Sequence, residues 1–541
     1  MILDWNSFEG VLPSVDVYLL PPNAAQQSVN VRYFGGAIRA FNDKSSVYTS
    51  GKSAPLLTLY RFNVATASDT NYWFTFGNRV SVQKGPVPDD TTERTYYTGD
   101  GVPKVTDSTL ALAGGGSSYP NNYYNLGVPA PTNVPTITEG GGGAGVEEER
   151  AYVYTYVTGW GEESAPSPPS LVTTVWTGDT NTVGNMGTSA PAGAYNILYK
   201  RIYRTVTVNG QTDYFYVGQV GIATATFADT ASIEVGEPLP TATWDVPPTD
   251  MHSLVLMPNG IMVGASKNTI CPSESYTPYA YPDAYRMTTE YDVVGMCAFG
   301  QSVAVGTVGN PYLLTGSDPA TLSLDKLAAP FACSSARSMV SVGDGVIYAS
   351  PDGLVYIGVD GVRLLTKDLF LRKDWFALVP SSMHAVFHQG KYFGFYDTGS
   401  VQGGFIFDPF SPSNNFTFTN VWATAAYVDP VTEAMYLCVG QVIYKWEAAA
   451  GLITYTRRTK DTSVANPQNF GAAQVLAASY SNLSATFYFD GGNSFTKTVT
   501  SEEPFRLPAG YKTRNVSVLV TGTDTVRRIL VASSLRELKG V

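Results

Sequence analysis

The stretch Ser341–Phe370 reads SVGDGVIYASPDGLVYIGVDGVRLLTKDLF. Asp-Gly occurs in it three times, at Asp344-Gly345, Asp352-Gly353 and Asp360-Gly361, at even spacing. Short apolar runs lie between the pairs: Val346-Ile347-Tyr348, Leu354 to Ile357, and Val362 to Leu365. Asp-Gly suits a tight hairpin turn, because glycine accepts a positive φ and aspartate tolerates one. The spacing predicts a four-stranded antiparallel meander with Gly345, Gly353 and Gly361 at its turns, Gly345 and Gly353 holding positive φ. Such a sheet is one blade of a β-propeller.

The unit recurs on both sides. Asn259-Gly260 separates SLVLMP from IMVGAS, and Gly300 separates Met296–Phe299 from Val303–Val305. Gln389-Gly390 separates MHAVF from KYFGFY, and Asp429-Pro430 separates TAAYV from AMYLCV. Turns at 260, 300, 345, 390 and 430 stand at the spacing of propeller blades, about 40–50 residues each. An ordinary sandwich repeats strands every ~8–12 residues with no such higher period.

Upstream, YWFTFGNRVSVQKG turns at Gly77-Asn78 and is followed by TERTYYTGDGVPKV, enough for one further blade within 51–126. The ring then has about six blades. Residues 127–245 change character between Pro- and Gly-rich boundaries. There Tyr152, Tyr154 and Tyr156 alternate with Val153, Thr155 and Val157, and a hairpin is expected at Asn209-Gly210. The tyrosine-rich strand, the Gly-Glu-Glu-Ser corner, Tyr199-Lys200-Arg201 and the closing Phe227-Ala-Asp229 resemble a fibronectin type III module. After Trp446 the blade pattern stops, and 451–541 reads as another β-unit. The expected fold is all-β: a propeller of about six blades (51–126 and 246–450), an inserted sandwich at 127–245, and a platform domain built from 1–50 and 451–541. Helical signals are few, the best at Lys367–Val379 and a short one near Asn23–Val29.

The 541 residues carry a net charge of −11, unevenly spread. Residues 451–541 hold 11 Lys+Arg against 6 Asp+Glu, a balance of +5, and the other 450 hold 23 against 39, a balance of −16. An acidic body opposes tight phosphate binding, which needs Lys and Arg to displace counterions. It also serves solubility. In the basic segment, Arg457-Arg458 and Arg527-Arg528 are candidate interface residues for carboxylate or phosphate groups, with scattered solvated charges as the alternative. Cys271, Cys297, Cys333 and Cys438 form no C-x-x-C and read as buried free thiols, with two disulfides as the alternative. MILDWNSFEG lacks the features of a signal peptide, and no apolar run approaches the ~18 residues of a membrane helix.

Catalytic, cofactor and metal motifs are not matched. His384 and His388 give H-x-x-x-H, but in an expected strand and without an intervening glutamate, so packing is the favoured reading. Ser50-Gly51-Lys52-Ser53 mimics the end of a P-loop, but Ser46 stands where its first glycine belongs. Gly140–Gly145 reads as a flexible linker, because no helix follows. Asp179-Thr180-Asn181 opens like a calcium loop, but Val183 and Ala190 replace needed oxygen ligands. Ser350-Pro351-Asp352-Gly353 departs from a sialidase Asp-box, since glycine follows aspartate directly.

The order of parts resembles the tail nozzle proteins of short-tailed bacteriophages, also called tail tubular protein B, and the related packaged-DNA stabilisation proteins. The resemblance is carried by LPPNAAQQSVNVRYFGGAIRAF at Leu20–Phe41, with Asn30, Gly36 and Arg39, and by Arg506-Leu507-Pro508 and Ser534-Leu-Arg-Glu-Leu538. It implies a non-enzymatic structural protein of the virion tail, made in the host cytoplasm. It further implies a homohexamer docked to the portal-proximal adaptor ring, neighbouring tail fibres or spikes, and contact with the host surface without membrane insertion. Viral double-stranded DNA would be retained by, and later pass through, its channel. A peripheral glycan-binding receptor protein and a glycan-cleaving propeller enzyme are the competing expectations.

Overall fold

The computed structural model describes residues 1–62, 68–208, 210–230, 232–411, 416–508, 510 and 512–539. The Ser341–Phe370 stretch is a meander of Val340–Ser341, Gly345–Ser350, Gly353–Gly358 and Gly361–Leu364, paired antiparallel in chain order. Its two central strands are buried at every position. Gly353 (φ 151°) and Gly361 (φ 108°) have positive φ. Gly345 does not; the left-handed residue of that turn is Gly343, at 97°. Gly345 opens a strand opposite Gly358, where a Cβ would stand 2.5 Å from the Ile357 carbonyl oxygen. Close approach of two backbones, not left-handed geometry, excludes a side chain there.

Among the described residues, seven blades surround one axis, six of four strands and one of two. Blade 1 pairs Thr58–Arg61 with Trp73–Phe76, and blade 2 runs from Ser81–Lys84 through Thr95–Thr98 and Lys104–Thr106 to Tyr124–Asn125. Blades 3, 4 and 5 open with His252–Leu256, Val293–Phe299 and Val340–Ser341, blades 6 and 7 with His384–His388 and Ala425–Val428. The opening strands of blades 2 to 7 pack against one another in turn, and blade 7 packs on blade 1. Thr58 completes the circuit: its hydroxyl accepts the Val80 N–H and donates to Asn78 O. The expected count of about six is one short, because 51–126 holds two blades. Gly77-Asn78 joins two blades instead of turning a hairpin inside one. The turns at Gly260, Gly300 and Gln389-Gly390 lie within blades, all at positive φ.

The chain closes the ring with its own N-terminal part. Ser45–Thr49 is the outermost strand of blade 7, paired with Val442–Lys445. The ring thus begins before residue 50. Inside the seam between blades 7 and 1, Arg61 pairs with the fully buried Asp429.

The insertion leaves after Tyr124–Asn125 and returns at His252, between blades 2 and 3. It is a small sandwich, with Tyr152–Thr158, Ile197–Val208 and Gln211–Gly221 in one sheet and Thr136–Thr138, Asn181–Gly184 and Phe227–Asp229 in another. Tyr152, Tyr154 and Tyr156 form its core with Val183, Ile202 and Val217. Asn209, expected in the hairpin turn, lies outside the described residues; the next residue, Gly210, has φ 84°.

Both chain ends build the platform. One sheet contains Ile2–Trp5, Arg32–Phe34, Ala37–Arg39, Val526–Ala532, Ala472–Ala477 and Phe505–Arg506. Facing it are Ala25–Val29, Tyr455–Thr459, Thr513–Gly522 and Leu483–Tyr488, and Trp5, Phe8, Ile38, Phe487, Val518 and Ile529 fill the space between. Ala25–Val29 is therefore a strand, not the expected helix: its edge pairs with Tyr455–Thr459, a long-range gain that local propensity does not contain. The helix expected over Lys367–Val379 is confined to Arg372–Phe376, and Val379 (φ 52°) before Pro380 ends any continuation.

Candidate functional site

The strand Ala25–Val29 has a second partner. Val29 pairs in parallel with Phe418, on the last strand of blade 6. Blade 6 and the platform are thereby one continuous sheet. Asn30, 2% exposed and at φ 57°, locks this junction. Its N–H donates to Phe418 O, and its side chain bonds Asn420, Thr454 O and the Thr419 hydroxyl.

The four arginines of the basic segment do not form one surface. Arg457 is buried (1% exposed), its guanidinium 4.7 Å from the Phe8 ring and donating to Asn23 O at 2.6 Å. It is therefore a bolt inside the platform, out of reach of an external partner, because a strand alternates inward and outward faces. Arg458, one residue on, points to the other face, over the Tyr488 ring at 4.1 Å with two bonds to the Ser517 hydroxyl. Arg528 makes a two-pronged contact with Asp4 at 2.9 and 2.8 Å. Arg527 is exposed, beside a register shift in Val526–Ala532.

The remaining sequence motifs are absorbed by structure. Gly140–Gly145 is not a free linker: Gly142 and Gly143 donate their N–H groups to Asp179 Oδ2 at 2.9 and 2.8 Å. The same bonds occupy the carboxylate that opens the calcium-like segment. Lys52 donates to Thr75 O at 2.8 Å and lies over Phe76. All four cysteines are free thiols, and burial pushes those of Cys297 and Cys333 up to about 12. Among the described residues no cluster of three His, Cys, Asp or Glu side chains could hold a metal ion. His388 lines the seam between blade 6 and the platform, while His384 lines the ring axis, stacked on Phe395 at 5.0 Å.

The axis holds a group of residues that sequence reading missed. A cavity of about 420 Å³ is lined by the opening strands of the blades and the segments leading into them. Arg79 and Arg337 project here. Arg79 donates to Val294 O at 2.8 Å and to the Ser253 hydroxyl at 2.7 Å. Arg337 uses Nη2 on the carbonyls of Leu57 (3.0 Å) and Thr424. Burial and the neighbouring Arg79 pull Arg337 down to about 10, so it is charged at neutral pH. His384 is 3% exposed with no well-formed bond at either ring nitrogen; burial first and Arg337 second hold it well below the usual histidine range, with the Ala423 backbone pulling the other way. Arg79 lies between blades and Arg337 in a short turn before blade 5, positions that no motif marks.

No protein-family model and no curated protein matches the sequence. Among solved structures, the WD40 domain of Neurospora crassa Pan2 is similar over 49% of this chain and 85% of that one, at 9% identity and a TM-score of 0.27. The AfRom2 CNH domain is similar over 58% and 93%, at 10% identity and 0.24. The exo-beta-1,3-galactanase of Phanerochaete chrysosporium is similar over 88% and 100%, at 9% identity and 0.18. The strand order described above, not these faint likenesses, defines the propeller.

Proposed function

We propose that this chain is a structural subunit of a tail nozzle in a short-tailed bacteriophage, assembled as a homohexamer that retains packaged DNA and conducts it during ejection. The observation that carries the reading is the junction at Val29 and Phe418. Both chain ends make a platform, and one sheet runs from it into the ring. A subunit clamped between an adaptor above and a DNA conduit at its side needs such a stiff joint. The charge balance fits as well: −16 outside residues 451–541 presents like charge to passing phosphates, and +5 within them suits docking.

The conduit of this proposal lies between subunits. The axial cavity of one ring, about 420 Å³, cannot admit a duplex whose major groove alone is ~12 Å wide. Exposed apolar side chains on or beside the platform, Leu19 (76%) and Phe34 (67%), offer contact for neighbouring subunits.

The test is sedimentation velocity and negative-stain imaging of purified protein, followed by addition to nozzle-less particles. Six-fold rings that bind on the tail axis are expected. Monomers at every concentration that bind only at the tail periphery would replace the nozzle with a receptor-binding role.

A further inference from the structure

We infer that the axis of the propeller is a binding site for a small oxyanion, the carboxylate, sulfate or phosphate group of a solute compact enough for the axial cavity. The charge distribution argues first. Asp and Glu outnumber Lys and Arg, 45 to 34, yet among the described residues no carboxylate lines this cavity. Two guanidinium groups do, and neither makes an ion pair with a described residue. Among the described residues, carbonyl and hydroxyl oxygens are their only bonded acceptors. Two like charges lining one buried cavity are held there only at a cost, which a bound anion would relieve.

The donor inventory argues second. Each guanidinium carries five N–H donors in a fixed fork. Arg337 engages only Nη2, so Nε and Nη1 have no bonded acceptor among the described residues. That edge suits the two oxygens of an oxyanion.

The third, independent observation is His384. It is almost fully buried and lines the cavity, with the Ala423 backbone beside its ring and no well-formed bond at either nitrogen. A buried imidazole without a well-formed bond is costly, and a neutral ring that turns from the Ala423 backbone can donate its one N–H to an anion. Gln83 is oriented by donating to Leu254 O at 3.1 Å.

The experiment titrates inorganic phosphate, sulfate and acetate into the full chain at low ionic strength, by calorimetry and by thermal shift. One saturable site per chain is expected, with at least one probe raising the melting temperature. Arg337→Gln should weaken that binding ~10-fold or more. Arg337 also ties blade 5 to blades 1 and 7, so His384→Phe, which keeps the stack on Phe395, provides a second variant with both guanidiniums intact. It should weaken binding while leaving stoichiometry unchanged. The inference is overturned if wild-type protein binds none of the three probes up to about 10 mM, a ceiling near the weak end of measurable affinity. It is equally overturned if a probe binds with unchanged affinity in both variants, because the bound anion then sits elsewhere.

Discussion

Asn30 and Asn420 meet across the joint between platform and blade 6, Asn30 Nδ2 donating to Asn420 Oδ1 at 2.8 Å. The same Asn30 side chain accepts from Asn420 N and the Thr419 hydroxyl, and its backbone holds a left-handed φ of 57°. Asparagine supplies both needs, since its short amide reaches local partners and tolerates that conformation. Asn30→Ala should destabilise the chain by about 2–4 kcal/mol, leaving buried acceptors and donors unpaired. Asn30→Gly should cost less, because the backbone strain is spared. Urea unfolding followed by tryptophan fluorescence checks the order. Equal midpoints for Asn30→Ala and wild type would mean that the joint is held elsewhere.

The three Asp-Gly glycines should respond differently to alanine. Gly361 has open space around a Cβ, so only its φ of 108° is strained, at roughly 1–2 kcal/mol. Gly345 has no such φ, but its Cβ would stand 2.5 Å from Ile357 O, forcing two strands apart. Gly353 combines a φ of 151° with contacts to Thr366 and Leu364. The expected loss in melting temperature is greatest for Gly353, intermediate for Gly345 and least for Gly361. A loss at Gly361 exceeding that at Gly345 would contradict this reading of the close approach.

Those glycines also show how much was legible beforehand. Asp-Gly at even spacing announced the meander, because turn chemistry and strand alternation are local. Which residue of Gly343-Asp344-Gly345 turns left-handed depends on register with Ile357 and Gly358, which is not local. Ala25–Val29 likewise looked helical until Thr456–Thr459 and Phe418 flanked it. Phe227-Ala-Asp229 was singled out as a closing motif, and Asp229 proves to be the buried partner of Arg150, Arg204 and the Tyr152 hydroxyl. The axial pair Arg79 and Arg337 carried no signal at all. They stand 258 positions apart in the sequence and meet only when the ring closes.

The joint between insertion and ring should loosen as pH rises. Glu162, 7% exposed, lies 3.8 Å from Arg94, which also covers Trp160 at 5.1 Å. Burial pushes its carboxyl up to about 7, with Arg94 and Thr158 pulling the other way. Tyr96 and Tyr279 also face it. The folded value exceeds the unfolded one near 4.5, so the folded state holds the proton more tightly. That stability is complete below about pH 4.5 and is lost as pH rises through 7, on the order of 3 kcal/mol. Proteolysis near residues 127 and 245 should be faster at pH 8 than at pH 5, and Glu162→Gln should flatten the difference. A protease rate independent of pH in the wild type would remove Glu162 from the joint.

Assembly through the basic segment can be tested at one arginine without disturbing the fold. Changing all four together would not separate folding from docking, because Arg457 is inside the platform against Phe8 and the carbonyl of Asn23. Arg457→Ser should lower stability by about 3 kcal/mol or more, from lost packing and from the Asn23 and Glu9 carbonyls left without their donor. Arg528→Ser should cost no more than ~1 kcal/mol, since its contact with Asp4 is about one-third exposed on both sides. Arg527→Ser should change stability by less than about 0.5 kcal/mol, as an exposed side chain without a bonded partner among the described residues. Arg527 is therefore the clean probe of docking. If the nozzle reading holds through this face, Arg527→Glu keeps the monomer's melting temperature and yet weakens the hexamer or its attachment to the upstream ring. Sedimentation at several salt concentrations distinguishes the two, because an electrostatic contact weakens with ionic strength. A variant that melts, assembles and attaches like wild type would take Arg527 out of the interface, and docking would then have to use the apolar side chains around Phe34 and Leu19.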